Sequence, residues 1–117
     1  MTSVLIEVRG CDATTKIITS YNEEQIGFLE NFCKQIALAS DGCCRPDISY
    51  YTVPNEAVSL YKKWKKIDEN IYSEPELLTE EEKEFYYSKF YNYYWLIDQA
   101  VEPKFNASQF RKEVYNI

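Results

Sequence analysis

The chain has 117 residues, 45% hydrophobic and 27% charged, with a net charge of −6 and no histidine. That length suits a single domain spanning 1–117, able to bury roughly 65% of its unfolded surface without disulfide or metal staples. The composition excludes a disordered chain, the acidic balance argues against nucleic acid as a partner, and the missing histidine removes the commonest catalytic base and metal ligand.

Residues 3–9 alternate, with Val4, Ile6 and Val8 on one side and Leu5, Glu7 and Arg9 on the other, the period-two pattern of a strand with one buried face. Gly10-Cys11-Asp12-Ala13 supplies turn chemistry, and the β-branched run from Thr14 to Thr19 completes a hairpin. A helix follows. Asn22 stands at its cap, Gln25 at the third helical position, and Tyr21 and Ile26 are placed as a hydrophobic staple. Ile26, Leu29, Cys33, Ile36 and Ser40 recur at helical spacing, with Phe28 and Phe32 widening the stripe. Asp41-Gly42 and then Pro46 end it near Ser40. Residues 47–53, with Tyr50, Tyr51, Thr52 and Val53, read as a third strand.

Beyond Pro54 the pattern is helical throughout. Asn55 to about Asn70 carries Ala57, Leu60, Trp64 and Ile67 at three-four spacing, and Ser73-Glu74-Pro75 breaks the chain. Thr79 with Glu82 forms a capping box that opens a long helix to about Val101, where Pro103 ends it. Asn106 with Gln109, flanked by Phe105 and Phe110, starts a short last helix carrying Val114. The expected fold is α+β: a three-stranded antiparallel sheet over 1–53 with the first helix on its one apolar face, then a helical part of about three helices over 54–117.

Residues 85–95 hold Phe85, Tyr86, Tyr87, Phe90, Tyr91, Tyr93, Tyr94 and Trp95. On one continuous helix these fall into two stripes. Tyr86, Phe90, Tyr93 and Ile97 are assigned to the core. Tyr87, Tyr91, Tyr94 and Trp95 are assigned to a solvent-facing surface that binds a protein, another copy included, because Tyr and Trp bring large area at low entropic cost. The competing reading buries both stripes. Lys63, Trp64 and Lys66 form a candidate pocket for a nucleotide or other small anionic ligand; otherwise the lysines are the solvated back of an amphipathic helix and Trp64 points inward. Glu80, Glu81, Glu82 and Glu84 fit a helix N-terminus and its dipole.

Cys11, Cys33, Cys43 and Cys44 lack the paired spacing of a zinc site, and no base accompanies any of them, so neither a metal, a cofactor nor a catalytic constellation is expected. No apolar run reaches the ~18–20 residues of a bilayer crossing and no signal-peptide pattern follows Met1, which makes a cytoplasmic protein with reduced thiols the expectation.

Gly10-Cys11-Asp12 followed by Thr14-Thr15, and Ala39-Ser40 leading through Cys44 and Pro46 to a strand, are the letters of a further comparison. Over residues 3–50 the chain resembles small uncharacterised accessory proteins of bacteriophages and mobile elements, departing at Cys43, where such proteins carry glycine. The resemblance implies a setting, the host cytoplasm, and a role: binding and inhibiting or redirecting a host protein, such as a component of a defence system.

Overall fold

The computed structural model describes residues 1–39, 46–90 and 93–115. Among them are strands β1 (Thr2–Arg9), β2 (Thr14–Tyr21), β3 (Asp47–Thr52) and β4 (Glu102–Phe105), and helices α1 (Glu23–Ala39), α2 (Glu56–Asn70), α3 (Glu80–Lys89) and α4 (Ala107–Tyr115). Two 3₁₀ helices, Pro75–Leu77 and Tyr94–Gln99, flank α3.

Three helix starts follow from local chemistry. At α1 the Asn22 N–H donates to Gln25 Oε1 (2.9 Å) and the Gln25 N–H to Asn22 Oδ1 (2.8 Å). At α3 the Thr79 and Glu82 pair does the same (3.0 and 3.1 Å), and the bond from the Thr79 backbone holds the Glu82 carboxylate below its ordinary range. At α4 the Gln109 N–H donates to Asn106 Oδ1 (2.9 Å), and the Phe105 and Phe110 rings meet at 5.2 Å as a staple. The caps, reciprocal at α1 and α3 and a single bond at α4, satisfy donors that a helix N-terminus otherwise leaves open.

The sheet is antiparallel throughout, in the order β2-β1-β3-β4, so it has four strands where the sequence pattern suggests three. The fourth, Glu-Pro-Lys-Phe, carries no apolar alternation, and its Pro103 reads as a helix stop. Pro is tolerated there because β4 is an edge strand and one of its sides needs no ladder donor. A register shift against Tyr50 and Tyr51 lets Phe105 face Tyr50 and Pro103 face Tyr51. The anchor is completed by the Ala107 N–H, which donates to the buried Ser49 Oγ (3.1 Å), and by a two-pronged Arg111–Asp47 ion pair that raises the guanidinium pKa further.

Both faces of the sheet are covered, not one. Val4 and Ile6 of β1 pack with Cys33, Ala37, Ile48, Tyr50, Phe105 and Ala107 beneath α1 and α4. Leu5, turned the other way, packs with Ile18, Val53, Trp64 and Ile67 of the α2 side and with Tyr86, Trp95 and Leu96. Central β1 thus buries successive residues, Val4 and Leu5 being fully inaccessible, each burial being worth roughly 1.5–3 kcal/mol. Glu7, on the Leu5 side, is buried and held by Arg9 Nε (3.2 Å) and Lys16 Nζ (3.7 Å).

The long helix expected from Thr79 to Val101 ends at Lys89. Phe90 leaves helical geometry (φ −123°, ψ 26°), its carbonyl accepts from Trp64 Nε1 (2.7 Å), and the chain resumes as the 3₁₀ helix Tyr94–Gln99 before Val101 donates to the Thr52 carbonyl (2.8 Å). A straight helix of that length would run roughly 34 Å and carry its last turns past the sheet. Breaking it brings both Trp95 and Leu96 into the core, a gain that outweighs a few helical hydrogen bonds.

Candidate interaction surfaces

The break at Phe90 redistributes the aromatic residues. Tyr86 is in the core as expected, and Phe90 packs partly buried against it. Tyr93 and Ile97, assigned to the core stripe, are exposed, because they follow the break and no longer keep the register of α3. Tyr87 and Tyr94 are exposed as expected. Trp95, assigned to the surface, is instead buried edge-to-face against Trp64 (5.7 Å) and Phe90 (5.0 Å), with its Nε1 unbonded among the described residues. Tyr91 lies outside the described residues.

Two exposed tyrosines, one in the turn after α2 and one on α3, have a rigid base. Tyr86 is 1% exposed and its hydroxyl donates to Asp68 Oδ1 (2.8 Å). Burial first, and then these bonds with Asp68 and Tyr72, push its pKa far up, so the phenol stays neutral. Tyr72 (74% exposed) and Tyr87 (56% exposed) both stand edge-on to the Tyr86 ring, at 6.4 and 5.4 Å. Two large amphipathic side chains are therefore held upright by a third. A second exposed pair, Tyr93 and Tyr94, stacks at 4.9 Å, with Lys16 Nζ 5.0 Å from the Tyr93 centroid.

The candidate ligand pocket does not assemble around Lys63, Trp64 and Lys66. Trp64 is buried between Tyr61 (6.0 Å) and Trp95, so its indole offers no open face to a stacked base. Lys63 lies over the Phe85 ring (4.0 Å), and Lys66 reaches toward Glu82 (4.0 Å). The lysines are the solvated back of α2, covering aromatic surface with their stems.

Cys11 is exposed and Cys33 buried; Cys43 and Cys44 fall outside the described residues. Among the described residues no cluster of three or more Cys, Asp or Glu could hold a metal ion, and no helix is long and apolar enough to cross a membrane.

One surface escapes the sequence pattern. Phe28 (67% exposed) and Phe32 (51%) do not widen the buried stripe of α1; they stand on its open flank. With Tyr21, Gln25 and Leu29 they line a shallow concavity of about 320 Å³ beside β2. A second concavity of about 340 Å³ lies over Val4, Ile26 and Tyr50, its rim carrying the Glu102–Lys104 ion pair (3.2 Å). The signal for the first was present but not decisive: aromatic residues at i and i+4 mark a helix flank without telling what covers it. No protein-family model, curated protein or solved structure matches the chain.

Proposed function

We propose that the chain is a small acidic protein-interaction module that presents Tyr72, in the turn after α2, and Tyr87, on α3, as anchors for a protein partner. The observation that carries this reading is the pair of exposed rings braced on buried Tyr86, which is itself fixed to Asp68. Preorganised tyrosines lose little side-chain entropy on binding, and such residues dominate interface energetics. Tyr94, exposed beside Tyr93, extends the candidate surface. The resemblance over residues 3–50 gives the partner a setting, a host protein that the chain inhibits or modulates.

The test uses the immobilised protein and a Tyr72→Ser/Tyr87→Ser variant on the same host lysate. Since both positions are exposed, the variant should melt within a few degrees of the parent. A protein retained by the parent and lost by the variant supports the reading. Identical retention by both overturns the assignment of these tyrosines.

A further inference from the structure

The two edges of the sheet are not alike. The β4 edge is four residues long and carries Pro103 with the charges of Glu102 and Lys104, the usual devices that keep an edge from pairing. The β2 edge is eight residues long, Thr-Thr-Lys-Ile-Ile-Thr-Ser-Tyr, with no proline. Among the described residues β2 pairs only with β1. Which of its backbone groups are open follows from the hairpin. The Gly10 N–H donates to the Ala13 carbonyl (2.9 Å), and Ser3, turned the other way, accepts from Val53 (3.0 Å). Alternation along the ladder then directs Thr15, Ile17, Thr19 and Tyr21 toward β1, and turns the N–H and C=O groups of Thr14, Lys16, Ile18 and Ser20 to the open edge.

The side chains beside that edge point the same way. Opposed residues share a face, so Ile17 and Thr19, facing Ile6 and Val4, lie on the α1 side of the sheet. Ile17 is nonetheless 37% exposed, and Tyr21, on the same face at the end of β2, lines the uncovered concavity with Phe28 and Phe32. An open ladder and an apolar face thus adjoin.

We propose that β2 pairs with β2 of a second copy of this chain, antiparallel and centred on Ile17, making one continuous eight-stranded sheet across a two-fold axis. In this register Lys16 of one copy exchanges both backbone bonds with Ile18 of the other, and the two Ile17 side chains meet on the α1 side. Phe28 and Phe32 of both copies then close over them. The charge distribution favours a second copy over a basic partner. The chain carries −6 overall, so a site for a basic partner would place carboxylates at the seam. Here the one charge on β2, Lys16, is engaged by Glu7, and the concavity on the α1 side is lined by Tyr21, Gln25, Phe28, Leu29 and Phe32, none of them charged. An uncharged seam lets two acidic copies meet across a two-fold axis with no like charges opposed.

Analytical ultracentrifugation over a concentration series, with amide hydrogen exchange on the same samples, tests the proposal. The expected result is a monomer–dimer equilibrium that strengthens with added salt, as repulsion between two acidic chains is screened. The amides of Lys16, Ile18 and Ser20 should gain protection with concentration. Ile17→Lys and Phe28→Glu, both at exposed positions and checked for parent-like circular dichroism, should each raise the dimer Kd at least about thirtyfold. A monomer at all concentrations overturns the proposal. So does a dimer that survives both substitutions or leaves those three amides unprotected. The tyrosine anchors lie on other elements, so loss of the dimer leaves the lysate comparison with Tyr72→Ser/Tyr87→Ser unaffected.

Discussion

Trp64→Ala should lower the stability of the fold by about 4 kcal/mol, enough to leave a domain of this size marginal at room temperature. Trp64 is the point where three parts of the chain join. Its ring packs on Tyr61 of its own helix and on Trp95 beyond the break, and its Nε1 donates to the Phe90 carbonyl (2.7 Å). Alanine removes one of the two tryptophans of that cluster and leaves a cavity that rigid neighbours fill only in part. It also strips the Phe90 carbonyl of the indole donor. Trp64→Phe separates the two losses: it keeps most of the ring and deletes the donor, and should cost about 1–2 kcal/mol more than the volume change alone. Urea titrations of the three proteins measure both. A Trp64→Ala midpoint close to the parent's would show that the indole is not a core element.

The same junction explains what sequence reasoning reaches and what it misses. Capping boxes are legible because donor and acceptor sit three residues apart, so Asn22/Gln25, Thr79/Glu82 and Asn106/Gln109 each carry their own geometry. The end of α3 is not legible in this way. Between Phe90 and Val101 there is neither Gly nor Pro to mark a stop; the helix ends because Trp64, a residue distant in sequence, takes the Phe90 carbonyl and because Trp95 and Leu96 find a core to enter. The same dependence on distant partners hides β4, whose pairing is set by Tyr50 and Tyr51, and places Phe28 and Phe32 on an open flank. A hydrophobic period reports that a face is apolar. Whether another layer arrives to cover it is decided by topology.

Raising the pH from 9 toward 11 should weaken the fold progressively. Cys33 is fully buried on the inner face of α1, and burial, then the nearby Glu30 carboxylate, push its thiol from the ordinary 9.0 up to about 11. In the unfolded chain the same thiol ionises first, so the unfolded state releases its proton at lower pH. Stability from this group is therefore complete below pH 9 and lost as pH rises to about 11, a loss on the order of 2 kcal/mol. Tyr50, Tyr51, Tyr61 and Tyr86 act in the same sense at still higher pH, each raised chiefly by burial, so alkaline unfolding should be steep. Denaturant midpoints across that range give the slope. Cys33→Ala, whose packing cost is the same at every pH, should flatten the first part of it and leave the tyrosine part. An unchanged slope in Cys33→Ala would assign the whole effect to the phenols.

The position of β4 has a consequence for how the molecule is made. β3 emerges from the ribosome well before Glu102–Phe105, the segment that covers its outer edge, and Phe105 and Ala107 are also the last residues to enter the core beneath α1 and α4. The hairpin and α1 can assemble from contacts near in sequence, but the sheet stays one strand short until Glu102–Phe105 is free of the exit tunnel. During synthesis the chain therefore carries two unpaired edges, β2 and β3, where the finished protein has closed the second. Ribosome-bound chains arrested before Glu102 should be the species most prone to aggregate, and emergence of Glu102–Phe105 is the event that ends the exposure.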